Sequence, residues 1–230
     1  MAAPARGPPC TVACTAAPPR TPAQGRYARL EPLHPGAHGA DLAAAWALSS
    51  PAAWTYLFAS RPADDGAAGA ALVAELAAAP DAAHFAVVDA ATSRATGSLA
   101  FMRVDVAHGV LELGHVNFTC PLLAQTRAAT EAVFLMLARA FGAGFRRVEW
   151  KCDALNEPSR RAARRFGFTE EGTFRQHMVL KGHSRDTVWH SLLADEWPRV
   201  ARAFEAWLDA ANFDERGRQR EALAARRPAD

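Results

Sequence analysis

A short segment of the chain concentrates residue types that bind anions. Asn156 and Ser159 are accompanied by four arginines at helical spacing: Arg160, Arg161, Arg164 and Arg165. Arginines four positions apart stack on one face of a helix, and together they can bind a phosphate or polyphosphate. The same pattern is also typical of an ordinary solvated helix face. The spacing alone leaves both interpretations open.

Asn156 lies where a strand passes into a helix. Residues 145–152 form an apolar run typical of a buried strand, and residues 157–166 have helical spacing that Gly167 ends. Just before Pro158, Asn156 fits an N-cap, whose side-chain oxygen accepts a backbone N–H. It also lies at the carboxyl end of the strand, where ligands bind in open α/β sheets. Capping and ligand binding are both consistent with this position.

The rest of the sequence predicts a mixed α/β domain that positions this segment. Further strands are predicted at 26–33, 84–90, 97–106, 110–118, 172–180 and 186–193. Further helices are predicted at 38–48, 69–79 and 124–141, and after Trp197 and Pro198. Gly114, inside the strand 110–118, is typical of a bulge or of a close backbone approach.

Composition indicates an intracellular, cytoplasmic protein with one folded domain. The chain has 230 residues, of which 50% are hydrophobic and 22% charged, and a formal net charge of +2. That charge is too small to predict a nucleic-acid or membrane partner. No apolar run reaches the length of about 18 residues that a membrane helix needs.

The two ends of the chain differ from its middle. Residues 1–25 are rich in Ala and Pro and have no acidic residue, so we predict a disordered leader. Because arginines are present there and acids are absent, organelle targeting is a second interpretation. Residues 26–210 form the predicted folded domain, and residues 211–230 form a charged C-terminal tail.

The cysteines predict reduced thiols and no metal site. Four are present: Cys10, Cys14, Cys120 and Cys152. They are too few and too scattered for a disulfide framework in a chain of this length. Cys10 and Cys14 with His34 and His38 resemble a two-Cys, two-His zinc pattern. The spacer of about 19 residues between Cys14 and His34 exceeds the usual spacer of about 12 to 15 residues.

Residues 26–198 resemble the GNAT N-acetyltransferase superfamily. The resemblance is strongest in the block RRVEWKCDALNEPSRRAARRFGFTEEGTFRQHMVLKGHSRDTVWHSLLADEWP, which begins at residue 146. That block is similar to the branch related to acetyltransferases of ribosomal-protein N-termini. LLAQTRAATEA (122–132) and WTYL (54–57) match the same branch.

The resemblance implies an α+β fold with a split central sheet. The sheet would be twisted, mostly antiparallel and made of about six or seven strands, flanked by about four or five helices. A bulge in the fourth strand, here ELGHVNFT (112–119), would part it from its neighbour. The pantetheine arm of acetyl-CoA, the implied co-substrate, would bind in the split. No metal is implied.

The resemblance also implies three groups of cofactor-binding residues. Backbone amides after the bulge would face the thioester: His115, Val116, Asn117 and Phe118. The pyrophosphate would bind at a helix N-terminus formed by Gln125, Thr126, Arg127, Ala128, Ala129 and Thr130, where free amides favour anions. Asn156, Ser159 and Arg164 would complete the site. The family's central glycine is replaced by Arg127, whose side chain would either crowd the phosphates or pair with them.

The catalytic residues follow from the same resemblance. Many family members carry a tyrosine that acts as general acid where this chain has Ala163. Ser159 matches the serine that replaces it in this branch, so the resemblance implies Ser159 as the proton donor to the leaving thiolate. Glu112 is the first candidate for the base that accepts the proton of the amine, and Glu149 is the second. His115 also titrates in the right range.

Two further pairs of residues have predicted positions. Trp54 and Tyr56 match a region that covers the acceptor pocket, where Glu112 would also contact the acceptor, although an amphipathic core gives the same pattern for the aromatics. Arg185 and Asp186 are predicted to brace the last hairpin as an ion pair rather than to contact substrate.

The sequence supports two functions of different classes. The first is an acetyl-CoA-dependent N-acetyltransferase that acts on a small-molecule or peptide amine by direct attack in a ternary complex, as a monomer or homodimer. The second is a non-catalytic acyl-CoA-binding module, suggested by the absent tyrosine and the altered phosphate loop. RNA binding through the arginine helix is disfavoured, because that helix offers no exposed stacking aromatic.

Overall fold

The computed structural model describes residues 7–63 and 66–223. Its helices are α1 (Pro35–Ala47), α2 (Ala67–Ala78), α3 (Arg127–Gly142), α4 (Glu157–Arg165) and α5 (Trp197–Leu208). Its strands are β1 (Ala23–Gln24), β2 (Ala28–Pro32), β3 (Ala82–Asp89), β4 (Ala95–Asp105), β5 (Val110–Asn117), β6 (Arg147–Asp153), β7 (Thr169–Leu180) and β8 (His183–Leu193). Every predicted helix and strand is present, with ends that differ by a few residues. The predicted α+β class is confirmed.

The strands form one mostly antiparallel sheet. Their order is β1-β2-β3-β4-β5-β6-β8-β7, and within the described residues only β5 and β6 run parallel. The eight strands exceed the six or seven expected. The additional strand is β1, which has two residues and is too short to produce a periodic pattern.

The parallel pair separates soon after it begins. β5 and β6 pair only from Val110 and Arg147 to Glu112 and Glu149, although both strands continue beyond that row. On its other edge, β5 gains one residue relative to β4 between Gly114 and Asn117. An extra residue bends and twists a strand, so this bulge turns β5 away from β6.

Gly114 is needed at the bulge because of space. A Cβ atom there would lie 2.6 Å from Met102 Sδ, closer than such atoms approach. The next residue, His115, has a φ of +48°, in the left-handed region that only short stretches of chain adopt. The predicted bulge is therefore present, and the split that it was expected to create lies between β5 and β6.

Two apolar clusters cover opposite faces of the sheet. The larger lies beneath α3 and α5 and includes Phe101, Leu111, Leu113, Met136 and Phe204. The smaller lies beneath α1 and α2 and includes Leu42, Trp46, Trp54, Val73 and Val88. Because strand side chains alternate, Leu111 and Leu113 direct Glu112 to the α1–α2 face.

A buried carboxylate fixes the position of α3. Glu131, 5% exposed, accepts backbone N–H groups from Arg26, Tyr27 and Ala28 at 2.8, 2.6 and 2.7 Å. Hydrogen bonds to a charged acceptor are stronger than those between neutral groups. These three bonds tie the beginning of β2 to the first turns of α3.

Parts of both predicted flanking segments contact the core. Cys14 is buried, and Phe213 and Leu223 belong to the larger apolar cluster. Arg139 donates a hydrogen bond to the Pro19 carbonyl. Composition does not predict single buried residues of this kind, because Pro, Ala and charged residues surround them in the sequence. Residues 1–6 and 224–230 lie outside the described residues, and the boundaries at 25 and 210 stay a prediction.

The last hairpin turns at Lys181 and Gly182, whose φ angles are +50° and +80°. The predicted ion pair between Arg185 and Asp186 is wrong, because neighbouring residues of a strand point to opposite faces. Asp186 accepts the Gln176 N–H at 2.7 Å. Arg185 points the other way and is buried.

Within residues 7–63 and 66–223, no helix is both long enough and apolar enough to cross a membrane. In the same part of the chain, no three His, Cys, Asp or Glu side chains are grouped to hold a metal ion. The two histidines of the zinc-like pattern bond to the beginning of α1. His34 Nδ1 accepts the Ala37 N–H, and His38 Nδ1 accepts the His34 N–H.

Candidate active site

A buried lysine lies where the two parallel strands separate. Glu112 and Glu149 face each other in the last paired row of β5 and β6, an arrangement that is unfavourable for like charges. Lys151 Nζ lies 3.2 Å from Glu112 Oε2 and 2.8 Å from Glu149 Oε2. It also lies 3.6 Å from the centre of the Trp189 ring. The lysine offsets the repulsion and fills the apex of the split.

The two carboxylates differ in which oxygens are occupied. Glu149 Oε1 accepts from Arg147 at 3.0 Å, and its Oε2 pairs with Lys151, so both oxygens are engaged. Glu112 directs Oε2 to both Arg103 and Lys151. Its Oε1 has no hydrogen bond within the described residues and lies against the bulge, since a Cβ on Gly114 would come within 3.0 Å of it.

An aromatic cluster lies beside the bulge on the α1–α2 face. The His115 ring is 5.1 Å from His84 and 5.7 Å from Phe58, between ring centres. Burial, with the neighbouring His115 as a second cause, lowers the pKa of His84 to about 4. Burial also lowers the pKa of His115, and the Glu112 charge partly opposes that shift. Within the described residues, neither ring nitrogen of His84 has a hydrogen-bond partner.

The beginning of α4 lies on the other side of the split. Asn156 caps this helix, since its Oδ1 accepts the Ser159 N–H at 3.1 Å. Ser159 Oγ accepts the Trp150 indole N–H at 3.0 Å, so its hydroxyl can still act as a hydrogen-bond donor. Cys152 is close by, and burial raises the pKa of its thiol, with the Ser159 hydrogen bond acting in the opposite direction.

The N-terminus of α3 presents free amides. Thr126 is the N-cap and accepts the Ala129 N–H at 3.1 Å. The amides of Arg127 and Ala128 have no acceptor within the described residues. The Arg127 side chain does not crowd them, because its guanidinium stacks on Tyr27 and Phe213, 4.6 and 4.9 Å from the ring centres. A helix N-terminus with free amides favours an anion.

Three of the four arginines of α4 form ion pairs on its outer face. Arg160 and Arg164 pair with Glu170, and Arg164 Nη2 also lies 2.8 Å from Glu157. Arg161 is within 3.8 Å of Glu157. This arrangement matches the solvated-face interpretation and engages Arg164, which the resemblance assigned to the cofactor.

Arg165 is the fourth arginine and has a different environment. Its Nη1 donates to Thr130 Oγ1 at 3.1 Å, and its guanidinium lies over the Trp207 ring. No feature of the sequence distinguishes Arg165 from Arg164 as a ligand of the cofactor. Their difference depends on which side of α4 faces α3, and that packing is not encoded in helical spacing.

The aromatic residues of the region predicted to cover the acceptor pocket differ in their burial. Trp54 is 2% exposed, donates its indole N–H to Ser49 Oγ and packs edge-on against Trp46. Trp54 is therefore a core residue, and it has no free surface for contact with an acceptor. Tyr56 is half-buried, and Phe58 is 49% exposed beside His115.

Sequence reasoning missed two residues of this region, His84 and Lys151, and it assigned Arg185 to an ion pair in the last hairpin. Lys151 had a visible signal, since a lysine two positions from a glutamate in an otherwise apolar strand places both on one face. His84 begins an apolar strand and gave no such signal. Phe58 and Arg185 are brought to the site by the packing of distant segments.

We expect Lys151→Met to destabilise the protein by about 2–3 kcal/mol, because it removes the cation between two facing carboxylates and leaves each with a single arginine partner, Arg103 or Arg147. Urea unfolding followed by circular dichroism measures this change. Arg103→Met is the matched control: Arg103 is half-exposed and Lys151 would still neutralise Glu112, so a loss of about 1 kcal/mol or less is expected. Equal stability of Lys151→Met and the unmutated protein would contradict the role of this lysine at the apex.

Stability should fall as the pH falls below about 6.5, partly because of His84. The unfolded chain binds a proton at this residue near pH 6.5, whereas the folded chain binds it only at about pH 4. Protons therefore favour the unfolded state across that window, by on the order of 3 kcal/mol at its acid end.

Urea unfolding at a series of pH values tests this expectation with two variants. His84→Leu should lose less stability between about pH 7 and pH 4.5 than the unmutated protein. His108→Gln, at an exposed position, should follow the unmutated protein. Parallel pH curves for His84→Leu and the unmutated protein would show that His84 is not buried in its neutral form.

Comparison with known proteins places this geometry in a family. A family model described as an acetyltransferase (GNAT) domain matches residues 29–169. A GCN5-related N-acetyltransferase from Brucella melitensis is 44% identical, with 91% of this chain and 95% of that chain covered and a TM-score of 0.88. A probable GNAT-family acetyltransferase from Chromobacterium violaceum is 40% identical, with 85% and 100% covered and a TM-score of 0.75.

A more distant structure has the same fold. RimJ from Mycobacterium smegmatis, in complex with CoA-disulfide, is 20% identical, with 78% of this chain and 88% of that chain covered and a TM-score of 0.59. No curated protein matches the chain. The family model spans more than half of the sequence, and two solved structures are 40% or more identical to the chain over most of its length. The chain therefore belongs to the GNAT acetyltransferase family.

Proposed function

We propose that this protein is an acetyl-CoA-dependent N-acetyltransferase that acts on a primary amine by direct attack within a ternary complex. The observation that carries this proposal is the split between β5 and β6, which pair over only three rows. On one side of the split lie the free amides of α3, and on the other lies the beginning of α4. The acceptor would be a protein N-terminus or a small-molecule amine.

The residues present fit acetyl-CoA. The amides of Arg127 and Ala128 would bind the pyrophosphate, and the stacking of the Arg127 side chain leaves them accessible. Beyond Glu112, the edge of β5 that faces β6 has no strand partner among the described residues, so those amides between His115 and Phe118 that point to this edge are available to a pantetheine chain. That RimJ is a CoA complex supports the same ligand here. Acetyl-CoA supplies the acetyl group as a thioester.

Asn156 would orient the cofactor through its amide nitrogen. Its Oδ1 is occupied by the Ser159 N–H, which fixes the plane of the side chain. Within the described residues its Nδ2 has no acceptor, so it can donate to a carbonyl group. Capping and ligand binding thus use opposite ends of one side chain.

Ser159 would deliver a proton from Oγ to the leaving thiolate. The Trp150 indole donates to this oxygen, and it would stabilise the negative charge that appears as the proton leaves. A serine is a weak acid, but a thiolate is a good leaving group and needs little protonation. This arrangement replaces the tyrosine whose position is held by Ala163.

Glu112 is the better of the two candidate bases. Its Oε1 is free at the bulge, whereas Lys151 and Arg147 occupy both oxygens of Glu149. A proton taken from the amine, directly or through a water molecule, would be held at Glu112 Oε1. Burial lowers the pKa of His115, which makes that imidazole a weaker base than an exposed histidine.

The function is tested by the release of free CoA. Purified protein given acetyl-CoA and a panel of amino acids, polyamines and peptides with free N-termini should release CoA in an amine-dependent manner. Mass spectrometry should find the acetyl group on the amine. Tight binding of CoA with no turnover across this panel would instead support the non-catalytic acyl-CoA-binding module.

Ser159 and Asn156 should have different kinetic effects. We expect Ser159→Ala to lower kcat by about 10- to 100-fold, at the low end of general acid catalysis because the leaving group is good. Its KM for acetyl-CoA should change little. Asn156→Asp keeps the N-cap but replaces the Nδ2 donor by an acceptor, so it should raise KM for acetyl-CoA with little loss of stability.

Steady-state kinetics with varied acetyl-CoA concentration measures both effects. Ser184→Ala is the control for the serine, because Ser184 lies exposed on β8 away from the split. The roles are misassigned if Ser159→Ala mainly weakens cofactor binding while Asn156→Asp mainly slows turnover. The identity of the acceptor, the oligomeric state and the cytoplasmic localisation stay predictions.

A further inference from the structure

Arg185 is a buried cation without a counterion. It is 5% exposed on β8, and within the described residues its Nε is buried with no hydrogen-bond acceptor. No carboxylate of the described residues lies within ion-pair distance of it. The contact that it does make is with an aromatic ring, since its guanidinium carbon lies 5.3 Å from the centre of Phe58.

The acidic groups nearest to Arg185 do not form an ion pair with it. Glu112 pairs with Arg103 and Lys151. Asp153 uses Oδ1 to accept the Leu155 N–H at 2.8 Å, and its charge only partly opposes the lowering of the Arg185 pKa by burial. Lys151 at the apex therefore has carboxylate partners, whereas Arg185 has none within ion-pair distance among the described residues.

An arrangement of this kind is costly for the fold alone. Removing a cation from water without pairing it costs several kcal/mol, and an apolar side chain of similar size would avoid that cost. Residues that impose such a cost are concentrated at functional sites, where a ligand supplies the missing charge.

The position of Arg185 relates it to the split. Thr187 is opposite Asp153, the last residue of β6, so Arg185 lies two residues beyond the end of that strand. It projects to the same face as Thr187, which is the α1–α2 face that carries Glu112. Here β6 has already turned into the segment that leads to Asn156.

Phe58 connects Arg185 to the other side of the split. Its ring centre is 5.7 Å from that of His115 on β5 and 5.3 Å from the Arg185 guanidinium on β8. Lys181 of the β7–β8 turn holds this segment in place, since its Nζ donates to the carbonyls of Trp54 and Ala59 at 2.8 and 3.0 Å. One exposed ring thus covers both the bulge and the unpaired guanidinium.

We propose that Arg185 binds a carboxylate of the acceptor, so that the preferred acceptors are amines that also carry a carboxylate, as amino acids do. The planar guanidinium matches a carboxylate with two parallel hydrogen bonds. The acceptor amine would lie toward the bulge and Glu112, and its carboxylate toward β8. This inference rests on the proposed function, because it assigns the substrate class of that same site.

The reach of the two groups suits a small acceptor. Arg185 lies six residues along β8 from Ser191, which is opposite Glu149. This is roughly 20 Å of strand at about 3.3 Å per residue, and the bulge is already some 7 to 10 Å along β5 from Glu112. Phe58 gives a direct bound on the separation, because its ring centre is 5.7 Å from that of His115 and 5.3 Å from the Arg185 guanidinium. These two groups are therefore at most about 11 Å apart, and a small acceptor that lies over Phe58 can contact both.

The test compares amines in matched pairs. Glycine, β-alanine and γ-aminobutyrate are each compared with the corresponding amide, at equal concentrations of the uncharged amine, by release of CoA. In at least one pair the carboxylate member should have a kcat/KM about 10- to 100-fold higher, as expected for hydrogen bonds to a charged group. No preference for the carboxylate in any pair would overturn the inference and leave the proposed function intact.

Two variants and one control assign the preference to this arginine. Arg185→Met should abolish the preference for the carboxylate, mainly by raising KM for the carboxylate acceptor. Arg185→Lys should retain part of the preference, because a lysine keeps the positive charge but lacks the two parallel N–H donors of the guanidinium. Arg175→Met removes the same charge from an exposed position on β7 and should change nothing. A preference that survives in Arg185→Met would overturn the inference.

Thermal unfolding separates ligand binding from a structural role. Because Arg185→Met removes an unpaired buried charge, the melting temperature of the variant should equal or exceed that of the unmutated protein. A lower melting temperature together with an unchanged acceptor preference would identify Arg185 as a residue that only supports the fold.

A binding measurement decides the inference if no amine is acetylated. N-acetylglycine and N-acetylglycinamide are titrated calorimetrically into the CoA-loaded protein. Binding of the carboxylate probe alone, lost in Arg185→Met, would support the carboxylate site even though the proposed function had failed. Equal binding of the two probes, or binding of neither, would overturn it.

Discussion

The whole site depends on one lysine between two glutamates. The parallel strands β5 and β6 bring Glu112 and Glu149 face to face in their last paired row, and Lys151 Nζ lies 3.2 and 2.8 Å from them. Without that cation, only Arg103 and Arg147, at the outer sides of the row, would offset the repulsion between the two carboxylates. With it, the strands can meet there and diverge immediately beyond. The bulge after Gly114 then directs β5 away, and the space between the strands becomes the cleft.

The distribution of paired and unpaired charges distinguishes the parts of the cleft. On the outside of α4 the arginines are neutralised by Glu157 and Glu170, so most of the positive charge that dominates this segment of the sequence serves the helix surface. At the apex, Lys151 has two partners. Arg185 is buried with no carboxylate within ion-pair distance among the described residues, and its contact with Phe58 joins it to the same cleft. The lack of a carboxylate partner thus identifies Arg185 as a cation that is available to a ligand.

Sequence reasoning recovered the elements better than the side-chain partners. Strand alternation and helical spacing depend on residues a few positions apart, so β5, β6 and α4 and the cap at Asn156 were all predictable. The resemblance to the family then brought Glu112, Glu149 and Ser159 to the neighbouring strands and helix around the split. Arg164 and Arg165 show the limit, because both occupy the same helix and only packing against α3 separates them.

By itself, the sequence determined which strands and helices form and where α4 begins and ends, because each of these depends on local backbone preferences. It left Gly114 open between a bulge and a close backbone approach, and the contact with Met102 on β4 decides why a glycine is needed there. The tertiary structure alone decided that Trp54 belongs to the core, that Arg127 stacks away from the free amides, and that Phe58 and Arg185 meet across the split. These contacts join segments tens of residues apart along the chain. Their partners are chosen by shape and charge in three dimensions, and no local pattern in the chain specifies that choice.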